Sequence, residues 1–379
     1  MTPTIRLGKL LGIEIDFNWS LIFIFALVAW TLAASVLPLD VPGQPALAYW
    51  VAGVAGAMVF YACLLAHELS HALVAKRMGV KVAGITLWLF GGVSRLEGEP
   101  TSARSEALIT IVGPLTSFGV ALLALLLAVV ASAVAGSGLV TDLLSWLAFI
   151  NLTLGLFNLV PAFPLDGGRL LSSLFWWRTG SRRRGVHRAV RVGRVLAYLM
   201  IAFGLFLLLS GAVLNGVWIA FIGWFLLSAA SAEESGVTMK ALLKSVPVSA
   251  AMTAPVITVP DWYTVSQFLG SVASQYHFTT YPLHDPSGQL SGVVRLAQLV
   301  RIPESDRERL HLRDCARPLA EIPTAQPSED LAALVQRVGT DLDRRVLVFD
   351  GGALVGIVSP VDLARVVTLR QTAAGAADR

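Results

Sequence analysis

Charge is scarce in this chain. Only 14% of its 379 residues are Asp, Glu, Lys or Arg, 55% are hydrophobic, and the mean hydropathy is +0.69. A wholly soluble protein of this size is excluded, because no soluble core needs so much apolar content; the composition is that of a polytopic membrane protein. Cysteine is nearly absent too. Cys63 and Cys315 are the only two, one in each part of the chain, so no disulfide framework is implied. The opening residues lack the pattern of a cleavable signal peptide, since the apolar run from Phe17 is too long and no small-residue cleavage site follows it. The basic excess behind the pI of about 9.3 flanks hydrophobic runs, as membrane topology requires, and gives no reason to expect nucleic acid as a partner.

The remaining charge is distributed unevenly. Met1 to Asp16 reads as a short lead carrying Arg6 and Lys9. Uncharged runs then predict spans over Phe17 to Leu39, Val41 to about Ala75, Ala107 to about Ala135 and Leu143 to Leu165. The uncharged stretch Leu196 to Ala232 breaks near Gly211 to Gly216 and is long enough for two short spans. A basic loop, Arg178 to Arg194, separates it from the fourth span. Six spans put both termini on one side. The loops on the other side, at residues 38–45, 136–142 and 211–216, contain no Lys or Arg, so the termini are expected in the cytoplasm. Val82 to Glu97 reads as an apolar β-hairpin turning at Gly91-Gly92, set at or in the membrane and packed on protein.

From about residue 236 the composition is that of an ordinary soluble domain, and it repeats. Leu290-Ser-Gly-Val-Val-Arg matches Leu354-Val-Gly-Ile-Val-Ser at an offset of 64 residues. Each half reads as strand, helix, two strands and helix. The expected architecture is a six-span α-helical membrane domain with a membrane-associated hairpin (1–235), followed by a soluble α/β tandem (236–306 and 307–370) and a disordered tail (371–379).

The chemistry sits in the second span, at His67-Glu68-Leu69-Ser70-His71. Residues i and i+4 share a helix face, so both histidines can grip one metal ion, with Glu68 beside them as a base for water. Glu and His at bilayer depth are costly and normally functional. A catalytic zinc takes three protein ligands and keeps one position open. Of the six histidines, His277, His284 and His311 lie in the soluble part and His187 in the basic stretch, so a carboxylate is expected as the third ligand. Asp166, Asp142, Glu97, Glu99 and Glu106 are the candidates. Asp142 is on the outer side, whereas Asp166 ends the fourth span between two prolines and two glycines, at a depth comparable with His67. Cys63, one turn before His67, is expected to line the site rather than bind metal, and Asn151 to pack.

These motifs resemble those of the site-2 protease family of intramembrane zinc metalloproteases. His67-Glu-Leu-Ser-His71 and Asn158-Leu-Val-Pro-Ala-Phe-Pro-Leu-Asp166-Gly-Gly carry the resemblance, with Leu89-Phe-Gly-Gly-Val93 and Gly113-Pro-Leu115 between them. The resemblance implies one zinc per chain on His67, His71 and Asp166, Glu68 as general base, and Asn158 positioning substrate or the developing oxyanion. It departs at Ser117, where many members carry Asn, so no polar role is assigned there. The repeated part resembles a pair of cystathionine-β-synthase (CBS) domains, found in one subgroup of that family. That likeness implies an adenine nucleotide near Asp362 and Ser359 and a homodimer through the pair. The first repeat has Gln298 and Arg295 at those positions, so at most one nucleotide site is expected.

The function expected is hydrolysis of peptide bonds within the spans of single-span, membrane-anchored substrates in a bacterial cell membrane. It would serve regulated proteolysis signalling and be tuned through the pair. The alternative is a transporter or channel gated by the pair, with a structural metal. The membrane half shows no repeated pattern of broken spans to support that alternative.

Overall fold

The computed structural model describes residues 4–88, 91–338 and 345–377. It divides into two units, Met1–Val237 and Thr238–Arg379.

In the first unit, six helices are long and apolar enough to cross a membrane, among the described residues. Helix α1 (Ser20–Thr31) continues through a π-helical turn, Leu32–Val36, to Asp40. Helices α2 (Ala46–Arg77), α3 (Ala103–Ala135) and α4 (Leu139–Asn158) follow. A shorter helix, α5 (Asp166–Thr179), precedes α6 (Arg182–Leu209) and α7 (Val213–Leu243). Between such helices lipid offers no hydrophobic drive, so close packing through small residues carries association. A Cβ on Gly53 would lie 2.7 Å from the Ala29 carbonyl, and one on Gly204 would lie 2.6 Å from the Ala220 nitrogen.

Two expectations fail here. The fourth span ends at Asn158, not Leu165, and Asp166 begins a separate helix. The basic loop is mostly helix: Arg182, Arg183, Arg184, Arg188, Arg191 and Arg194 lie on α6. Its apolar residues recur at helical spacing, with Val186, Ala189, Val190, Gly193 and Ala197 buried. Charge density hid that period. His187 and Arg194 both bond Glu234 of α7, each at 2.5 Å, tying the two helices together.

The expected hairpin belongs to a four-stranded sheet of order β1-β2-β3-β4. Strands β1 (Thr4–Leu10) and β2 (Ile13–Asn18) form a hairpin in the segment expected to be a plain lead. The missed signal is Ile13-Glu14-Ile15, whose isoleucines are buried at the strand period of two. Leu11 and Gly12 both take positive φ at the turn, as a tight two-residue hairpin needs. Strand β3 (Lys81–Trp88) runs parallel to β2 and antiparallel to β4 (Gly91–Glu97). Trp88 pairs with Gly91, so Gly91 and Gly92 open β4 rather than form the turn. Leu89 and Phe90, expected at the end of the first strand, lie outside the described residues. Ile13, Ile85 and Leu87 pack with Ala72 of α2, which sets the sheet against the helix that carries both site histidines.

The second unit is the expected tandem. Strands β5 (Val259–Pro260), β6 (Thr280–His284) and β7 (Leu290–Arg295) form one sheet in that order. Strands β8 (Thr324–Ala325), β9 (Val346–Asp350) and β10 (Ala353–Val358) form the other with the same topology, one parallel and one antiparallel pair. Helices α8 (Val265–Gly270) and α9 (Leu296–Val300) belong to the first repeat, and α10 (Leu331–Val338) and α11 (Pro360–Ala377) to the second. The tail expected to be disordered is helical as far as Ala377, since its alanines favour helix.

The division at 306/307 does not follow the packing. Leu310 and Leu312 join the first repeat's core, while Leu243, Val246, Val248 and Ala251 complete the second. Thr253 exchanges backbone bonds with Ile357 of β10, and Arg317 does so with Val293 of β7. Each repeat is thus finished by the segment that precedes the other. A fragment covering 238–379 should unfold in one sharp urea transition followed by circular dichroism. A fragment starting at 254 loses the buried Leu243, Val246 and Val248, about 1.5–3 kcal/mol each, against a total stability of about 5–15 kcal/mol. Its midpoint should collapse, and equal midpoints would refute the exchanged packing.

Candidate metal centre and general base

Helix α2 runs unbroken for 32 residues through the histidine motif, so His67 and His71 sit one above the other and are both buried. Asp166 reaches them as the first residue of α5, where the positive end of the helix favours a carboxylate. The glycines after it allow close approach rather than looseness. A Cβ on Gly167 would collide with the Leu159 and Val160 backbone, and one on Gly168 would lie 2.6 Å from the Ala162 carbonyl carbon. The start of α5 thereby folds back on the turn after α4 and brings Asp166 in toward α2.

Three ligand atoms meet at one point. His67 Nε2 lies 3.2 Å from His71 Nε2, and each lies 3.3 Å from Asp166 Oδ2. Donor atoms about 2.0–2.1 Å from a tetrahedral zinc are about 3.3–3.4 Å apart, so this near-equilateral triangle is one face of such a tetrahedron. The outer ring nitrogens agree. His71 Nδ1 donates to the Ile109 carbonyl at 2.6 Å, which leaves the Nε2 lone pair for a metal. His67 Nδ1 is 2.9 Å from the hydroxyl of buried Ser117. Two bare imidazole nitrogens and a carboxylate oxygen repel one another at these distances unless a cation stands between them. Helix α3 can come this near because Gly113 has no side chain: a Cβ there would run into His71 Nε2 and lie 2.7 Å from His67 Nε2.

Glu68 faces the sheet. Ser94 of β4 donates to its Oε2 at 3.3 Å, and a Cβ on Gly92 would overlap its Cγ. The other sequence candidates separate from the triad. Glu99 and Glu106 both face Arg182, at 3.0 and 3.6 Å. Asp142 lies in the first turn of α4, and the side chain of Glu97 lies outside the described set. Cys63 is not in the metal-binding group. Asn151 is fully buried, with its amide on the Leu147 carbonyl. The amide of Asn158 donates to Leu154 one turn back, at 3.0 Å, and not to the triad.

Ser117, to which the sequence assigned no polar role, contacts one of the two histidines of the triangle. About two turns of α3 separate it from Ile109, which holds the other histidine, so both project from one face of that helix. A serine in an apolar run carries no signal of this by itself; only its spacing from Ile109 hints at it.

Asp362 and Ser359, singled out for a nucleotide, satisfy each other at the start of α11. The Asp362 carboxylate accepts the Ser359 hydroxyl at 2.6 Å and its backbone nitrogen at 2.9 Å, and also the Thr253 hydroxyl at 2.9 Å. This is a helix cap.

A family model described as peptidase family M50 matches residues 55–135 and 127–207. A Mycobacterium tuberculosis protein named "Putative zinc metalloprotease Rip3" is 42% identical over 98% of this chain and 95% of its own length. Among solved structures, the site-2 protease from Methanocaldococcus jannaschii aligns with 61% of this chain and 95% of its own, at 30% identity and a TM-score of 0.42. The CBS domain of a bacterial CNNM/CorC family Mg2+ transporter aligns with 36% of this chain and 82% of its own, at 17% identity and a TM-score of 0.31.

Replacing Ser117 with Ala should weaken zinc binding about 10–100-fold, as loss of an outer-shell partner does. Competition against a chromophoric chelator measures this, with helical content unchanged.

Proposed function

The chain belongs to peptidase family M50, the site-2 proteases, and is a zinc metalloprotease, and from that premise we propose that it cuts peptide bonds within the spans of single-span, membrane-anchored substrates. The observation that carries this reading is the triangle of His67, His71 and Asp166 with Glu68 beside it, the two histidines and Glu68 lying on a helix long and apolar enough to cross a bilayer.

In this reading His67, His71 and Asp166 hold the metal through Nε2, Nε2 and Oδ2. Zinc bound there supplies a Lewis acid for the peptide carbonyl and for water. Glu68 takes the proton from the attacking water and returns it to the leaving amine as the C–N bond breaks. The Ile109 carbonyl keeps His71 in the tautomer that ligation needs, and Ser117 holds the His67 ring in place. Asn158 would have to give up its bond to Leu154 to reach an oxyanion.

An intact helix hides its carbonyls, so a substrate span must unwind before it is cut. Strand β4 is the last strand of its sheet, and Gly92 and Ser94 on it touch Glu68. An unwound segment added along β4 as a fifth strand would lie beside the base.

With no basic residue in the loops at residues 41–45, 136–138 and 210–212, the termini and the tandem lie in the cytoplasm. An adenine nucleotide at the tandem would have to displace Thr253 and Ser359 from Asp362; adding ATP to the cleavage assay tests it, and an unchanged rate would remove the nucleotide from this reading. The substrates, a role in signalling and a dimer through the pair come from the resemblance.

The deciding assay uses purified protein and a panel of tagged single-span reporters whose spans carry a central Asn-Gly or Gly-Pro. Wild type should cut at least one reporter within its span and stop on addition of 1,10-phenanthroline. Glu68→Gln should hold zinc yet cut nothing; cleavage that survives this change would sink the reading. For strand addition, Cys63 and Cys315 are first replaced by Ser. A cysteine replacing Ser94 on β4 should then cross-link to a single-cysteine reporter, and one replacing Leu7 on the opposite edge strand should not.

A further inference from the structure

Strand β4 is more than an edge. Its pleat places Gly92 and Ser94, two residues apart, on one face, and that face is turned to Glu68. Gly92 offers bare backbone: a Cβ would overlap Glu68 Cγ and lie 3.0 Å from Oε1. Ser94 offers a hydroxyl to Oε2 at 3.3 Å. A free glutamate side chain samples many rotamers, and holding one costs conformational entropy. Backbone against the methylenes and a donor on one oxygen select a single orientation.

The strand that carries this donor is itself fixed from its other face. Arg95 reaches across β3 to Asp16 of β2, Nη2 to Oδ2 at 2.5 Å, and Asp16 is buried. Gly84 stands in the path, paired with Arg95 on one side and Glu14 on the other. A Cβ there would lie 2.8 Å from Arg95 Nη2 and 2.9 Å from the Glu14 carbonyl. The missing side chain is what lets the guanidinium cross. From this geometry we infer that Ser94 is a positioning residue for the general base, aligned by the Arg95–Asp16 pair on the opposite face of β4.

The inference rests on the proposed role of Glu68, so the experiment separates the two. On the reporter that wild type cuts best, kcat and KM are measured for Glu68→Gln, Ser94→Ala and Ser94→Thr, with bound zinc and melting temperature alongside. At 3.3 Å the Ser94 bond is long for an O–H···O contact, so the low end of the range for a charged partner applies, about 1.5 kcal/mol, which is about 10-fold in rate. Ser94→Ala should lose that much kcat with KM within twofold and zinc unchanged, and Ser94→Thr, which keeps the hydroxyl, should recover most of it. A Ser94→Ala kcat within twofold of wild type overturns the inference. So does a loss that threonine fails to restore, or one that comes with lost zinc or a lowered melting point, since each marks mere packing. Activity surviving in Glu68→Gln instead removes the proposed function itself.

Discussion

Three potential metal ligands, buried within reach of one another, are the constraint that this membrane unit is arranged to meet. His67 Nε2, His71 Nε2 and Asp166 Oδ2 stand 3.2–3.3 Å apart, and burying them without a cation costs several kcal/mol. Such a triangle survives only where the surroundings hold each member independently. His71 is held through the Ile109 carbonyl and His67 through Ser117. Asp166 is held by the start of α5, which cannot shift while Gly167 and Gly168 rest on the preceding turn. Three helices, α2, α3 and α5, thus converge on a volume that one divalent ion would fill.

Missing side chains do much of this work. Gly113 brings α3 onto the histidines, Gly92 brings β4 onto Glu68, and Gly84 clears a path for Arg95. All three serve close approach, and φ falls in the left-handed range at none of them. A motif search registers such glycines as turns or breaks, as with Gly91-Gly92. A larger residue at any of them would displace a functional group directly.

The legible part of the site was the part encoded at fixed local spacing. His67 and His71 share a face by helix geometry, and a shortage of other histidines in the membrane part left carboxylates, among which depth favoured Asp166. The count of spans followed from uncharged runs. What could not be read depends on contacts distant in sequence. Ser117 touches a histidine 50 residues away, Ser94 touches Glu68 26 residues away, and Asp16 meets Arg95 across 79. The exchange of segments in the tandem is of the same kind, because an internal repeat reveals two copies without saying which linker completes which core. The hairpin of β1 and β2 was legible in principle; its two buried isoleucines were outweighed by a short length and flanking charge.

Among the described strands, the same sheet ends at β4 and carries the donor to Glu68, and on the proposed reading this joins two requirements of cutting inside a membrane. An unwound substrate needs backbone partners, since unsatisfied peptide groups at that depth cost several kcal/mol each. A proton acceptor needs a fixed orientation at the moment of attack. On the proposed reading, a segment paired along β4 would satisfy its own backbone and stiffen the strand that aligns Glu68. Contacts made away from the scissile bond would then favour the transition state rather than binding alone. A strand tied on one face by Arg95 and Asp16 and last in its sheet among the described strands suits that role, because it can gain a partner without losing its register.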